Sequence, residues 1–162
     1  MNALLHEVIE LGGGNWPKYR PNLDVIAYPN ANIVCDLRDG IPLPDESVGK
    51  VYSSDFFEHL TFTEGLKLLK ECYRVLADDG ELEFIIPDMW ITVQMGIQST
   101  PHANNIVWGT RRDQYDIHKM WYTQDLIVYI LCHEGWREVK ADTYKRDSDW
   151  YLEPKFVVRG RK

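Results

Sequence analysis

Three consecutive glycines, Gly12-Gly13-Gly14, close an apolar run from Leu4 to Leu11. At a strand end they let the backbone approach a ligand that a Cβ would hold off. A tight turn uses the same residues, so the triplet alone leaves both readings open. Carboxylates recur beside apolar runs: Glu10 just before the glycines, Asp24 at a short run around Leu23 to Ile26, and Asp36 at the run Ile33 to Leu37. In an open α/β sheet the strand C-termini converge on one crevice, where these groups can share a cleft. There Asp24 could accept hydrogen bonds from ribose hydroxyls and Asp36 from an exocyclic adenine amine. Taken singly each is more often a solvated turn residue, and it is their order relative to the glycine loop that favours the shared cleft. The dinucleotide pattern GxGxxG fails, because Asn15, Trp16 and Pro17 follow Gly14. Pro17 and Pro21 forbid a long helix after the loop and remove the helix-dipole cradle for a pyrophosphate. A nicotinamide-dependent enzyme therefore ranks last.

His59 and His118 invite a general-base reading, since neutral imidazole is the commonest base near neutral pH. His59, just ahead of a helical pattern, reads as structural; His118 is the candidate catalytic residue. No metal site is expected, because Cys35, Cys72 and Cys132 lack metal-ligand spacing and read as buried free thiols. Aromatic residues such as Trp16, Tyr19, Trp90, Trp108, Trp121 and Tyr122 could pack on a ring or a cation near the cleft, although most such rings belong to cores.

The elements that must hold these residues alternate between strand and helix, which predicts parallel strands joined by crossovers. After the first three runs, a Pro-rich turn at 41–47 leads to a fourth strand, Lys50 to Ser53. From Thr61 the period changes: Leu66, Leu69, Cys72, Tyr73 and Leu76 mark one helical face. Thr61 and Glu64 have capping-box spacing, and Asp79-Gly80 supplies a stop. A fifth strand, Leu82 to Ile86, closes at Pro87. Asp88 to Tyr122 has no clean period and is read as short helices and a lid. Thr123 caps a second clear helix that Gly135 ends. Trp136 to Ala141 and Lys155 to Arg159 form a terminal hairpin.

The 162 residues, 44% hydrophobic and without a dividing linker, are enough for one domain, 1–162, with one core. The 18 basic and 25 acidic residues leave a net charge of −7, which disfavours nucleic acid as a partner. Arg111 and Arg112 could still hold a small anion. The longest apolar run, Leu126 to Cys132, is too short to cross a membrane, and no signal stretch is present. A cytoplasmic protein follows, in a compartment that keeps thiols reduced.

Glu10-Leu11-Gly12-Gly13-Gly14 resembles the first motif of class I S-adenosylmethionine-dependent methyltransferases. Asn22-Leu23-Asp24-Val25 is similar to the acidic second motif, and Cys35-Asp36-Leu37 to the third. Ile41 through Leu60 resembles the "LPFPDNSFDxIxxxxxLEHL" segment. Leu69 through Leu82 resembles "EixRVLKPGGxL", with Asp78-Asp79-Gly80 where Pro-Gly-Gly is usual. The resemblance implies a Rossmann-like, doubly wound α/β sheet of seven strands, mostly parallel, with an antiparallel strand in the C-terminal hairpin. It implies S-adenosyl-L-methionine as cofactor: Glu10, Gly12, Gly13 and Gly14 at its amino-acid portion, Asp24 at its ribose, Asp36 and Leu37 at its adenine, and Ser54 and Asp55 under the sulfonium. The segment from His118 to Thr123 is similar to a His-containing segment on the acceptor side.

Two departures from the family stand out. Only a few residues precede the first strand, where a helix is usual, and the helix after the glycine loop is reduced to a turn. A more open cleft is expected, or one completed by a partner subunit in a homo-oligomer. The implied activity is direct methyl transfer to a small-molecule or sugar-type acceptor, with positioning as the main catalytic effect. The alternative is a non-catalytic methyltransferase-fold binding module acting through a partner subunit.

Overall fold

A computed structural model describes residues 4–94, 105, 107–144 and 154–162. The apolar runs become β1 (His6–Leu11), β2 (Asn22–Asp24), β3 (Ile33–Val34), β4 (Val48–Ser54), β5 (Leu76–Pro87), β6 (Arg137–Tyr144) and β7 (Lys155–Arg161). They form one sheet in the order β3-β2-β1-β4-β5-β7-β6. Pairing is parallel from β3 through β5, and β7 runs antiparallel to both β5 and β6. With β7 alone reversed, six strands share one direction. This is the mixed, mostly parallel α/β sheet expected from the sequence.

Period-two alternation sends Leu82, Phe84 and Ile86 of β5 and Phe156 and Val158 of β7 into one large core cluster. Two helices cover it: α1 (Phe62–Val75) through Leu68, Leu69, Cys72 and Val75, and α3 (Gln124–His133) through Ile127, Ile130 and Leu131. The alternate positions build a smaller cluster of Tyr52, Ile85 and Val157. The same face carries charges that are paired with one another: Lys50 Nζ lies 2.7 Å from Glu81 and 3.1 Å from Glu83, and Arg159 Nε lies 2.8 Å from Glu83.

The capping box at Thr61 and Glu64 is formed as expected. The end of α1 differs from expectation. The helix stops at Val75, four residues before Asp79-Gly80, because the amides of Glu46 and Ser47 take the carbonyls of Arg74 and Val75. Leu76 then pairs directly with Val48, and Asp79, at φ 61°, lies in an irregular stretch of β5. Thr123 caps α3 and Gly135, at φ 91°, follows its end, as read from the sequence.

Between β1 and β2 the chain is a loop without helix, in keeping with Pro17 and Pro21. The irregular segment contributes α2 (Met89–Gln94), and its residues 95–104 and 106 lie outside the described residues. Asp88, fully buried, accepts from the Ile91 amide at 3.2 Å and from Gln124 Nε2 at 3.1 Å, tying α2 to α3. The cysteines are all free, but Cys132 is exposed and Cys35 half-buried, so only Cys72 is the buried thiol expected of all three. No described helix is long and apolar enough to cross a membrane.

Candidate functional site

The C-terminal ends of β1, β2, β3 and β4 open onto a cleft of about 870 Å³, mouth included. The three glycines reach it in different ways. A Cβ on Gly12, at φ +66°, would stand 2.3 Å from the Phe56 ring. One on Gly13 would stand 2.9 Å from both the Glu10 carboxylate and Asn22 Oδ1. A Cβ on Gly14, at φ +58°, would meet nothing within 4 Å. Thus the turn itself excludes side chains at Gly12 and Gly13, whereas Gly14 presents bare backbone to open space. Gly12 and Gly14 line the cleft; Gly13 does not.

Asparagine and aspartate side chains from β2 hold this loop. The Gly13 amide donates to Asn22 Oδ1 at 2.9 Å and the Gly14 amide to Asp24 Oδ2 at 3.0 Å. Asp24 Oδ1 takes the Ile26 amide at 2.9 Å. Each Asp24 oxygen therefore accepts one backbone amide, and each retains a lone pair for a further donor. Glu10 is buried and away from the cleft lining, accepting the Tyr19 amide at 2.6 Å. Burial raises its carboxyl above the ordinary 4.5, against the lowering effect of the Tyr19 and Lys18 amides.

Asp36 and Leu37 line the adjoining wall with Ile26 and Tyr28. Arg38 grips Asp36 with Nε at 2.8 Å from Oδ1 and Nη2 at 2.5 Å from Oδ2, and these hydrogen bonds hold the carboxyl below its usual range. A ligand amine at Asp36 would share it with a guanidinium. Asp55 follows β4 in the left-handed region at φ 54°, with Ser54 Oγ and Lys155 Nζ on its Oδ2 at 3.2 and 2.8 Å. Asp55 lines the cleft; Ser54 does not.

Asp55, His59 and Arg112 also border a second, open pocket of about 650 Å³, mouth included, reaching Glu58, His118 and Lys155. Glu58 is buried, and neither of its carboxylate oxygens has a hydrogen-bond partner among the described residues. Burial pushes its carboxyl well above the ordinary value, with Asp55 adding to the shift. His118 Nε2 lies 3.8 Å from Glu58 Oε1, and the His118 and His59 rings meet edge to face at 4.8 Å between centroids. Burial lowers the His59 pKa, partly opposed by the bond from Nδ1 to the Ile117 carbonyl at 3.2 Å.

The structure brings Gly12, Gly14, Asp24, Asp36, Leu37 and Asp55 to one cleft and His118 to its neighbour, while Glu10, Gly13 and Ser54 line neither. Phe56, Tyr28, Arg38, Lys119 and the buried Glu58 join them from turns and from the aperiodic segment, with no signal in the sequence to single them out. The aromatic expectation needs correcting: Trp16 is 89% exposed, and Trp108 and Trp121 meet edge to face with centroids 5.2 Å apart, outside the first cleft. Its aromatic lining is Phe56, Tyr28 and Tyr115. Of the anion pair, Arg112 borders both cavities but is bound by Asp116 at 2.9 Å.

Residues 20–84, from just after the glycine loop through the middle of β5, match the family model of a methyltransferase domain. No curated protein matches the sequence significantly. Among solved structures, a SAM-dependent methyltransferase from Archaeoglobus fulgidus superposes with a TM-score of 0.71 at 16% identity, over 97% of this chain and 86% of that one. A Burkholderia thailandensis 1,6-didemethyltoxoflavin-N1-methyltransferase, with its bound 1,6-didemethyltoxoflavin and S-adenosylhomocysteine, gives 0.67 at 12% identity, over 99% and 72%. A chain of the complex between the Haloferax volcanii Trm112 methyltransferase activator and a candidate methyltransferase also gives 0.67, at 16% identity, over 98% and 83%. The chain has the fold of the class I S-adenosylmethionine-dependent methyltransferases, and its segment 20–84 carries methyltransferase-domain sequence.

Proposed function

We propose that the protein is an S-adenosylmethionine-dependent methyltransferase acting on a small-molecule or sugar-type acceptor. The observation that carries this reading is the pairing of cavities. A cleft with an open glycine, Gly14, and a ribose-suited carboxylate, Asp24, adjoins a cavity holding two imidazoles, with Asp55 on their shared border. When bound, S-adenosyl-L-methionine supplies an electrophilic sulfonium methyl group. Gly14 leaves room for its amino-acid end, with Glu10 and Gly13 stiffening the loop from behind. The two Asp24 oxygens accept from the ribose hydroxyls, and Ile26 and Leu37 give the adenine an apolar wall. Asp36 serves the adenine amine only in company with Arg38, a departure that favours a weaker contact there. Asp55, positioned by Ser54 and Lys155, marks the methyl-bearing end.

On the acceptor side, His118 and His59 can hold a hydroxyl or amine and orient its lone pair towards the first cleft, so that catalysis comes mainly from alignment. His118 is our candidate for receiving the acceptor's proton. The free thiols suit the cytoplasm. A second polypeptide, either another copy or an activator protein, is a reasonable partner, given the activator complex among the related folds.

Calorimetry with S-adenosylmethionine, S-adenosylhomocysteine and NAD tests the reading. We expect S-adenosylhomocysteine to bind in the micromolar range and NAD not to bind. Asp24→Ala should weaken the former by about 1.5–3 kcal/mol, the worth of charge-assisted hydrogen bonds to the ribose. Unchanged affinity in a folded Asp24→Ala protein would remove the ribose assignment, and tight NAD binding would overturn the cofactor.

A further inference from the structure

We infer that Glu58, His59 and His118 form a site for one divalent transition-metal ion of the borderline class to which zinc and cobalt(II) belong. One donor atom from each residue lies within 4.8 Å of the other two. The shape is that of a three-ligand pocket just beyond the end of β4, with Glu58 and His59 on a single 3-10 turn, Phe57–His59. The carbonyl of Glu58 accepts the amides of Lys119 and Met120 at 2.8 and 3.2 Å, which holds the His118 segment against that turn. The His59 ring in turn bonds the carbonyl of Ile117, the residue before His118, across a sequence separation of 58 residues. Hydrogen bonds to the backbone on both sides of His118 therefore keep the three ligands together.

The donors are suited to a metal. A buried carboxylate without a hydrogen-bond partner is costly, and a coordinated cation is the kind of neighbour that offsets the cost. Both Glu58 oxygens are in that position among the described residues, with the side chain 3% exposed. His59 uses Nδ1 for the Ile117 carbonyl, 3.2 Å away, so in that tautomer Nε2 carries the lone pair. Metal-bound histidines are oriented in this way, by a carbonyl on the other ring nitrogen. Bond lengths of about 2.0–2.2 Å in a tetrahedral site would bring donors to about 3.4 Å from one another. The donors now lie 3.8 Å apart between Glu58 Oε1 and His118 Nε2 and up to 4.8 Å apart within the group, so closing on an ion takes side-chain movements of about 1 Å. Two imidazoles and one carboxylate favour zinc-like ions over magnesium or calcium, which prefer oxygen throughout. The open side faces the 650 Å³ cavity, leaving a fourth position for water or an oxygen of a small ligand.

Protein stripped with a chelator and titrated with cobalt(II) tests the site by visible absorption, without cofactor or acceptor, so its outcome is independent of the cofactor assignment; a metal held by His118 would take the lone pair that otherwise receives the acceptor's proton. We expect saturation at one equivalent, with the spectrum of a nitrogen- and oxygen-ligated ion, and a rise in melting temperature on adding zinc. Glu58→Gln and His118→Ala should each weaken binding by roughly tenfold or more, since even the outer-shell partners of a metal site carry that much. His133→Ala, at an exposed His-carboxylate pair with Glu134 elsewhere on the surface, should leave it unchanged. Absence of saturable binding, a sulfur-to-cobalt charge-transfer band, or wild-type affinity in folded Glu58→Gln would each overturn the site. The first two are read on the wild-type protein and stand even where a variant fails to fold.

Discussion

Glu10 illustrates how a residue beside a site acts on it without entering it. The residue is 3% exposed, and burial raises its carboxyl pKa above 4.5. The folded chain thus holds this proton to higher pH than the unfolded chain. Between 4.5 and the raised folded value the native state binds more protons, so stability falls as pH rises through that window. Glu10→Gln keeps an oxygen for the Tyr19 amide and does not titrate. We expect the wild type to lose stability relative to Glu10→Gln as pH is raised from 4.5, in melting curves taken on both proteins at matched pH. Parallel profiles would show that the carboxylate ionises there without cost. Asp36 has the opposite sign: Arg38 lowers its pKa, so its contribution is present above the ordinary carboxylate range and is lost as pH falls through the depressed value.

Among the elements, the glycine loop separates two roles that look identical in sequence. Gly12 and Gly14 both have positive φ, a conformation that costs a residue with a Cβ about 1–2 kcal/mol. At Gly12 the new atom also collides with Phe56, whereas at Gly14 it points into open space. Gly12→Ala should therefore be the more destabilising change in thermal melts. Gly14→Ala should stay folded, lose about 1–2 kcal/mol of stability, and bind S-adenosylhomocysteine more weakly in calorimetry. Equal melting temperatures with equal cofactor affinities would mean that neither contact matters. Such a result would return the loop to a plain turn.

Across the whole molecule, the two cavities are joined by the segment 109–119, whose residues contribute to the lining of both. Asp116 organises it: its carboxylate accepts from Thr110 Oγ1 and from the Arg112 amide and Nε, the last at 2.9 Å. The Arg111 amide donates to the Asp116 carbonyl and the His118 amide to that of Trp108. We expect hydrogen exchange of the amides at 109–119 to slow when S-adenosylhomocysteine binds, because Arg112, Tyr115 and Lys119 line the same cleft as Gly14 and Asp24. Asp116→Ala should speed their exchange while leaving β4 and β5 protected. Ligand-induced protection limited to the glycine loop would show that this segment does not close over the cleft.

Elements with local signals are legible in the chain before it folds. Helical periodicity and the Thr61-Glu64 box specify α1, Thr123 and Gly135 bracket α3, and alternating apolar residues specify β5 and β7. Gly14, Asp24 and Asp36 are marked in the same way, because residues at strand ends converge wherever parallel strands pack side by side. Other features depend on distant partners and exist only once the chain is packed. Gly12 differs from Gly14 through Phe56, Asp36 is bound by Arg38, and α1 ends early because the 46–47 amides cap its carbonyls. Glu58 and His118 meet through the amides of Lys119 and Met120, across a separation no periodicity spans. Such contacts arise from long-range packing and leave no local pattern, which is why His118 stands out in the sequence only as a lone histidine while its neighbour Glu58 has no signal at all.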